Sequence, residues 1–85
     1  MKPWFLYIAK TRTKKFYTGI TTDPQKRIRD HNAGKGAMMA LEHGRFELVY
    51  VSAPFLNKSL ARKREIQIKD WSQAKKLKLI SGELK

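Results

Sequence analysis

Cysteine is absent from this 85-residue chain, which excludes disulfides, thiolate nucleophiles, redox pairs and cysteine zinc sites together. Any metal must then be held by oxygen or imidazole, and two histidines make imidazole scarce. Long apolar runs are missing too. No window approaches 18 apolar residues, so neither a membrane-spanning helix nor a membrane partner is expected. The apolar opening, residues 4–9, is cut off by Lys10, Arg12, Lys14 and Lys15 and has no small-residue cleavage site. It reads as the first strand of a cytoplasmic protein rather than as a secretory signal. Walker A and dinucleotide glycine patterns are also lacking. Acidic residues are few: 7 Asp and Glu face 19 Lys and Arg, a formal charge of +12.

That excess of positive charge points to a polyanion, and nucleic acid comes first. Hydrophobic content of 41% with four Phe, three Tyr and two Trp argues for a folded chain despite the charge. The length suits one domain over residues 1–85, with a core so small that each large apolar side chain counts.

Residues 4–11 alternate so that Phe5, Tyr7 and Ala9 share one face and Trp4, Leu6 and Ile8 the other. Both faces are apolar, as in a central strand. A polar connection leads to a second strand over residues 15–21, making a hairpin. Gly19 inside it suggests a bulge or a close approach by another group. Asp23 caps a helix with Pro24 in its first turn, running to about Ala33 and stopping at Gly34. After a basic turn at Gly34-Lys35-Gly36, residues 37–42 could form a short extra helix ended by His43-Gly44, with Met38 and Met39 as core fillers. Residues 46–52 form a third strand closed by Pro54. Asn57 or Ser59 caps a long helix reaching about Trp71, with a stripe of Leu60, Arg64, Ile68 and Trp71. Glu65 falls at the rim of that stripe and Arg64 at its centre. Ser72 restarts a short helix with Leu77 and Ile80 inward, and Gly82 ends it. The order β-β-α-β-α-α predicts a small α/β (α+β) layer fold with a three-stranded, mostly antiparallel sheet flanked by helices.

With nucleophile–base pairs and zinc clusters nearly excluded, one set of polar residues remains. Tyr7 and Tyr17 lie in paired strands, Arg27 and His31 are i, i+4 on one helix face, and Glu65 occupies a costly place for a carboxylate. Phe5-Leu6-Tyr7, then Tyr17-Thr18-Gly19-Ile20, then Arg27-Ile28-Arg29-Asp30-His31 resemble the GIY-YIG nuclease domain. Only the Tyr of the first triplet is kept, and Thr18 replaces the central Ile of the second. Arg64-Glu65-Ile66-Gln67-Ile68-Lys69 is similar to the segment holding that family's metal-binding Glu. Asn32-x-Gly-Lys-Gly-Ala resembles the small stand-alone bacterial members. The likeness spans residues 4–80. It departs from those members at residues 38–45, where their basic, Tyr- and Thr-containing stretch is replaced by Met38-Met39-Ala40-Leu41-Glu42-His43-Gly44-Arg45.

The resemblance implies a metal-dependent endonuclease acting on DNA in preference to RNA, in a setting of repair or recombination. It assigns Tyr7 as general base for water, Tyr17 as its aligning partner, Arg27 as phosphate clamp, His31 as proton handler and Glu65 as ligand to Mg²⁺ or Mn²⁺. A free tyrosine titrates near pH 10, so Tyr7 needs Arg27, the metal or His31 to favour phenolate. Lys26, Arg29, Lys35 and Lys69, with Gly19 as a point of close backbone approach, are the candidate nucleic-acid contacts. Two alternatives stay open: a basic DNA- or RNA-binding module without turnover, and a small RNA- or ribosome-associated protein.

Overall fold

A computed structural model of the chain describes residues 2–33 and 45–84. The elements run β1 (Phe5–Thr11), β2 (Phe16–Thr21), α1 (Pro24–Asn32), β3 (Phe46–Val51), α2 (Lys58–Lys69) and α3 (Gln73–Ser81). The order β-β-α-β-α-α is thus the one predicted, an α+β fold. The basic turn, the possible helix over 37–42, Lys35, His43, Met38, Met39 and the predicted stop at Gly34 lie outside the described residues.

All strand pairings are antiparallel, in the order β2-β1-β3. Central β1 is covered on both sides, which is why its two faces are equally apolar. Leu6 and Ile8 pack with Ile68 of α2 and Leu79 of α3. Tyr7 and Ala9 pack with Ile28 of α1 and Phe46 of β3. The sheet is therefore sandwiched between α1 and the α2–α3 pair. The register with β3 slips between Ile8 and Ala9, so Val49 is the extra residue of a bulge.

The termini of the elements follow local chemistry. Side chains of Asp23, Asn57 and Ser72 accept hydrogen bonds from Lys26 N, Leu60 N and Lys75 N, capping the three helices. Gly82 ends α3 at φ +89°, in the left-handed region. The β1–β2 turn closes through Lys14 N donating to Thr11 O at 2.9 Å, with Lys14 at φ 66°. Asn32 is less obvious from sequence. Its amide pairs with both backbone groups of Phe46, accepting from N at 2.7 Å and donating to O at 3.0 Å. The end of α1 is thereby tied to the start of β3.

Two predicted stripes are corrected. On α2 the inward line is Ala61, Glu65 and Ile68, all buried, whereas Leu60 is 42% exposed. The small Ala61 faces the sheet in place of Leu60, while Ile68 and Trp71 keep the inward places the stripe gave them. Arg64 consequently leaves the stripe centre, and its guanidinium lies 5.1 Å over the ring of Trp71, which is itself partly buried against the core. On α3 Leu79, not Leu77, enters the core; Leu77 is 51% exposed. Thr18, opposite Ile8, buries a hydroxyl without a hydrogen-bond partner, for which the structure gives no compensation. Among the described residues no helix is long and apolar enough to cross a membrane.

Candidate active site

The β1–β2 register sets Tyr7 directly across from Gly19. The Tyr7 ring lies over that glycine so closely that a Cβ there would meet the hydroxyl at 2.6 Å and ring carbons at 2.8 and 2.9 Å. Gly19 is therefore not a bulge, and the expected close approach by another group is found. The group that comes close is Tyr7 itself. Tyr17, two residues before Gly19 and on the same face, brings its ring to 6.1 Å from that of Tyr7.

His31 sits behind this pair. Buried to 3% exposure, it meets the Tyr17 ring at 5.5 Å and the Phe46 ring at 5.3 Å, edge-on to both. Its Nε2 lies 3.5 Å from the Tyr7 hydroxyl, a long contact, and its Nδ1 has no partner. Burial and the positive charge of Arg27 pull the imidazole below its ordinary value of 6.5, against a smaller opposing pull from Asp30. Burial pushes the Tyr7 hydroxyl up to about 12, and hydrogen bonding and charge from Arg27 only partly oppose it. The expectation that neighbours favour phenolate is thus not met in the free protein. At neutral pH this site holds a phenol beside a neutral imidazole.

Tyr7, Tyr17, Gly19, Arg27, Glu65 and Lys69 all line one cleft of about 420 Å³, with Trp4, Lys58 and Arg62 completing its walls. Although α1 and α2 belong to opposite layers, both reach this cleft across the β2 residues Gly19, Ile20 and Thr21. Glu65 keeps 6% side-chain exposure, and both of its oxygens are engaged: Oε1 by Arg62 at 2.8 Å and Oε2 by Lys69 at 3.5 Å.

The remaining predicted contacts lie elsewhere. Lys26 pairs with Asp30 at 2.9 Å and borders an adjoining hollow of about 150 Å³ that it shares with Arg27. Arg29 lines a separate depression with Asn32, Ala33 and Arg45. Sequence reasoning passed over Trp4 and Lys58 as site residues and offered Arg62 only as an ion-pair partner for Glu65, a pair the structure contains. A signal for two of them was present: Lys58, Arg62, Glu65 and Lys69 are spaced by four, three and four, one face of a helix.

No group of three or more metal-ligating side chains forms among the described residues. Glu65 alone fits a magnesium-like ion in one particular way. Such ions keep several waters and take one or two carboxylates together with substrate phosphates. A single carboxylate at the wall of a cationic cleft meets that need only when phosphate oxygens complete the set.

The family model for the GIY-YIG catalytic domain matches residues 3–78. UPF0213 protein YhbQ of Escherichia coli O127:H6 is 42% identical over 81 residues, covering 95% of this chain and 80% of the relative. YhbQ of Escherichia coli O1:K1 is 41% identical over the same length. The solution NMR structure of UPF0213 protein BH0048 from Bacillus halodurans superposes with a TM-score of 0.57 at 37% identity. That match covers 92% of this chain and 82% of the other.

Proposed function

The chain belongs to the GIY-YIG catalytic-domain family, which implies nuclease-type chemistry on nucleic acid, and from that premise we propose that it is a metal-dependent endonuclease hydrolysing phosphodiester bonds in DNA. The observation that carries the proposal is the convergence of Tyr7, Tyr17, Arg27 and Glu65 from two strands and two helices on one cationic cleft. Structural residues have no reason to meet in this way.

Each side chain has work suited to its surroundings. Arg27 is solvent-exposed at the cleft and offers a fork of donors to two phosphate oxygens, which fixes the phosphorus for attack. Tyr7 holds the attacking water, and Tyr17 keeps the Tyr7 ring and that water in line. As a phenol, Tyr7 accepts the water proton only by passing its own onward. His31 Nε2, at 3.5 Å, is the acceptor in reach. The new bond forms from water oxygen to phosphorus, and the bond from phosphorus to the leaving oxygen breaks with its electron pair going to that oxygen, which takes a proton from solvent. The water's proton is matched by one that comes to rest on the imidazole. Arg27 helps depress His31 in the free protein. Pairing Arg27 with an anionic phosphate offsets that charge and makes His31 a better base when substrate is present. Glu65 would hold a divalent ion, which would supply Lewis-acid stabilisation of charge on the phosphate and the leaving oxygen. Lys58, Arg62 and Lys69 bind flanking phosphates, Lys26 and Arg29 contribute to the wider basic surface, and Gly19 gives Tyr7 its room. Nuclease work of this kind suits DNA repair or recombination in the cytoplasm.

Incubation with branched, nicked and linear DNA, with Mg²⁺ or Mn²⁺ and with chelator, tests the proposal. Metal-dependent cleavage is expected, collapsing in Glu65→Gln while DNA binding stays close to wild type. Cleavage unaffected by Glu65→Gln would overturn the site. Binding without cleavage of any substrate would favour a second reading, a basic binding module without turnover. The neutral Tyr7 and the doubly paired Glu65 of the free protein are the features that favour it.

A further inference from the structure

We infer that Arg62 exchanges partners, from the Glu65 carboxylate in the free protein to a substrate phosphate in the complex, and that this exchange couples divalent-metal binding to nucleic-acid binding; the inference rests on the phosphodiesterase reading of the cleft. Glu65 is nearly sealed at 6% side-chain exposure, whereas Arg62 and Lys69, which cover its two oxygens, are 57% and 53% exposed. A carboxylate that deep needs counter-charge whenever no metal is there. Arg62 and Lys69 supply it. The cost is that one negative charge is surrounded by two positive ones, so a dication approaching the free protein meets a site of net positive charge.

Arg62 is the partner suited to move. Like Lys69 it lines the cleft and is more than half exposed, so its head can turn to a substrate while an arriving ion takes over as counter-charge to Glu65. A guanidinium matches a phosphate as well as a carboxylate, since both accept its paired donors. A strand entering the cleft therefore draws Arg62 onto its backbone, uncovers Oε1 of Glu65, and brings the phosphate oxygens the ion lacks. By linkage the coupling is reciprocal: metal tightens nucleic acid by the same factor as nucleic acid tightens metal. Arg62 is thus a substrate-binding residue whose resting place blocks premature metal loading.

Free Mn²⁺ measured by electron paramagnetic resonance tests this on the full chain, with and without a cleavage-resistant phosphorothioate duplex. Wild type should bind Mn²⁺ about tenfold more tightly with DNA, within the ordinary range of site-to-site coupling. Arg62→Ala should bind Mn²⁺ several-fold more tightly than wild type without DNA, and should lose most of the enhancement. Arg62→Lys should keep part of it, which a merely structural helix residue would not predict. Arg62→Ala with unchanged Mn²⁺ affinity in both conditions, or with weaker affinity without DNA, overturns the exchange. In that case Glu65→Gln-sensitive cleavage still leaves the nuclease reading intact. No Mn²⁺ bound even in the DNA complex overturns Glu65 as the metal residue, and the exchange with it.

Discussion

His31 and Tyr7 show how a few ångströms of burial set the chemistry available to a small domain. The imidazole is held below 6.5 by burial and by Arg27, so the folded chain takes up its proton less readily than the unfolded chain does. The sign follows from linkage. Stability from this residue is fully present above pH 6.5 and is lost as pH falls from there through the depressed folded value. Urea unfolding at pH 7.5 and pH 5 should show a drop in stability that is much smaller in His31→Gln. An identical drop in the variant would mean that His31 is not held neutral. Tyr7 acts on the alkaline side. Its hydroxyl is raised from 10.0 to about 12, so its contribution is present below pH 10 and is lost between those two values. Neither shift was legible in the sequence. Spacing put Arg27 and His31 on one face, but burial of the imidazole between Tyr17 and Phe46 depends on where β3 docks.

Between elements, the pairing of β1 with β2 does most to build the site. Tyr7 rests on Gly19 across the ladder, and a methyl group there would lie 2.6 Å from its hydroxyl. Gly19→Ala must displace a ring that is 1% exposed. We expect cleavage to fall by about 10²-fold, the usual consequence of misplacing a reacting group by an ångström, while DNA binding is kept. Single-turnover cleavage and a binding titration check this; full activity in Gly19→Ala would show that the Tyr7 position is unimportant. Elements were readable where their causes are local. Asp23-Pro24, Asn57, Ser72 and Gly82 mark helix ends by their own chemistry, and period-two alternation fixed both faces of β1. Helix rotation was not readable. Leu60 and Ala61 are both apolar, and only contact with the sheet decides that Ala61 turns in and carries Glu65 to the cleft. The same holds for Leu79 over Leu77.

On the scale of the molecule, the chain carries a charge of +12, and the lining of its cleft sets Arg27, Lys58, Arg62 and Lys69 against the carboxylate of Glu65. Charge of this kind draws in any polyanion and steers its backbone without selecting sequence. The family was legible because its motif residues are spaced by the hairpin and the first helix, which are local. The cleft walls were legible only in part: Lys58 and Arg62 share a helix face with Glu65, whereas Trp4 joins the site through tertiary packing alone. Whether these distant residues act as one machine is decided most directly at Arg27, which is exposed at the cleft beside the Tyr7 hydroxyl. The measurement is single-turnover cleavage of saturating DNA by Arg27→Ala beside its thermal unfolding. We predict a loss of about 10²–10³-fold in rate, the usual cost of removing one donor to transition-state charge, with the unfolding midpoint unchanged. Cleavage within twofold of wild type would contradict the account.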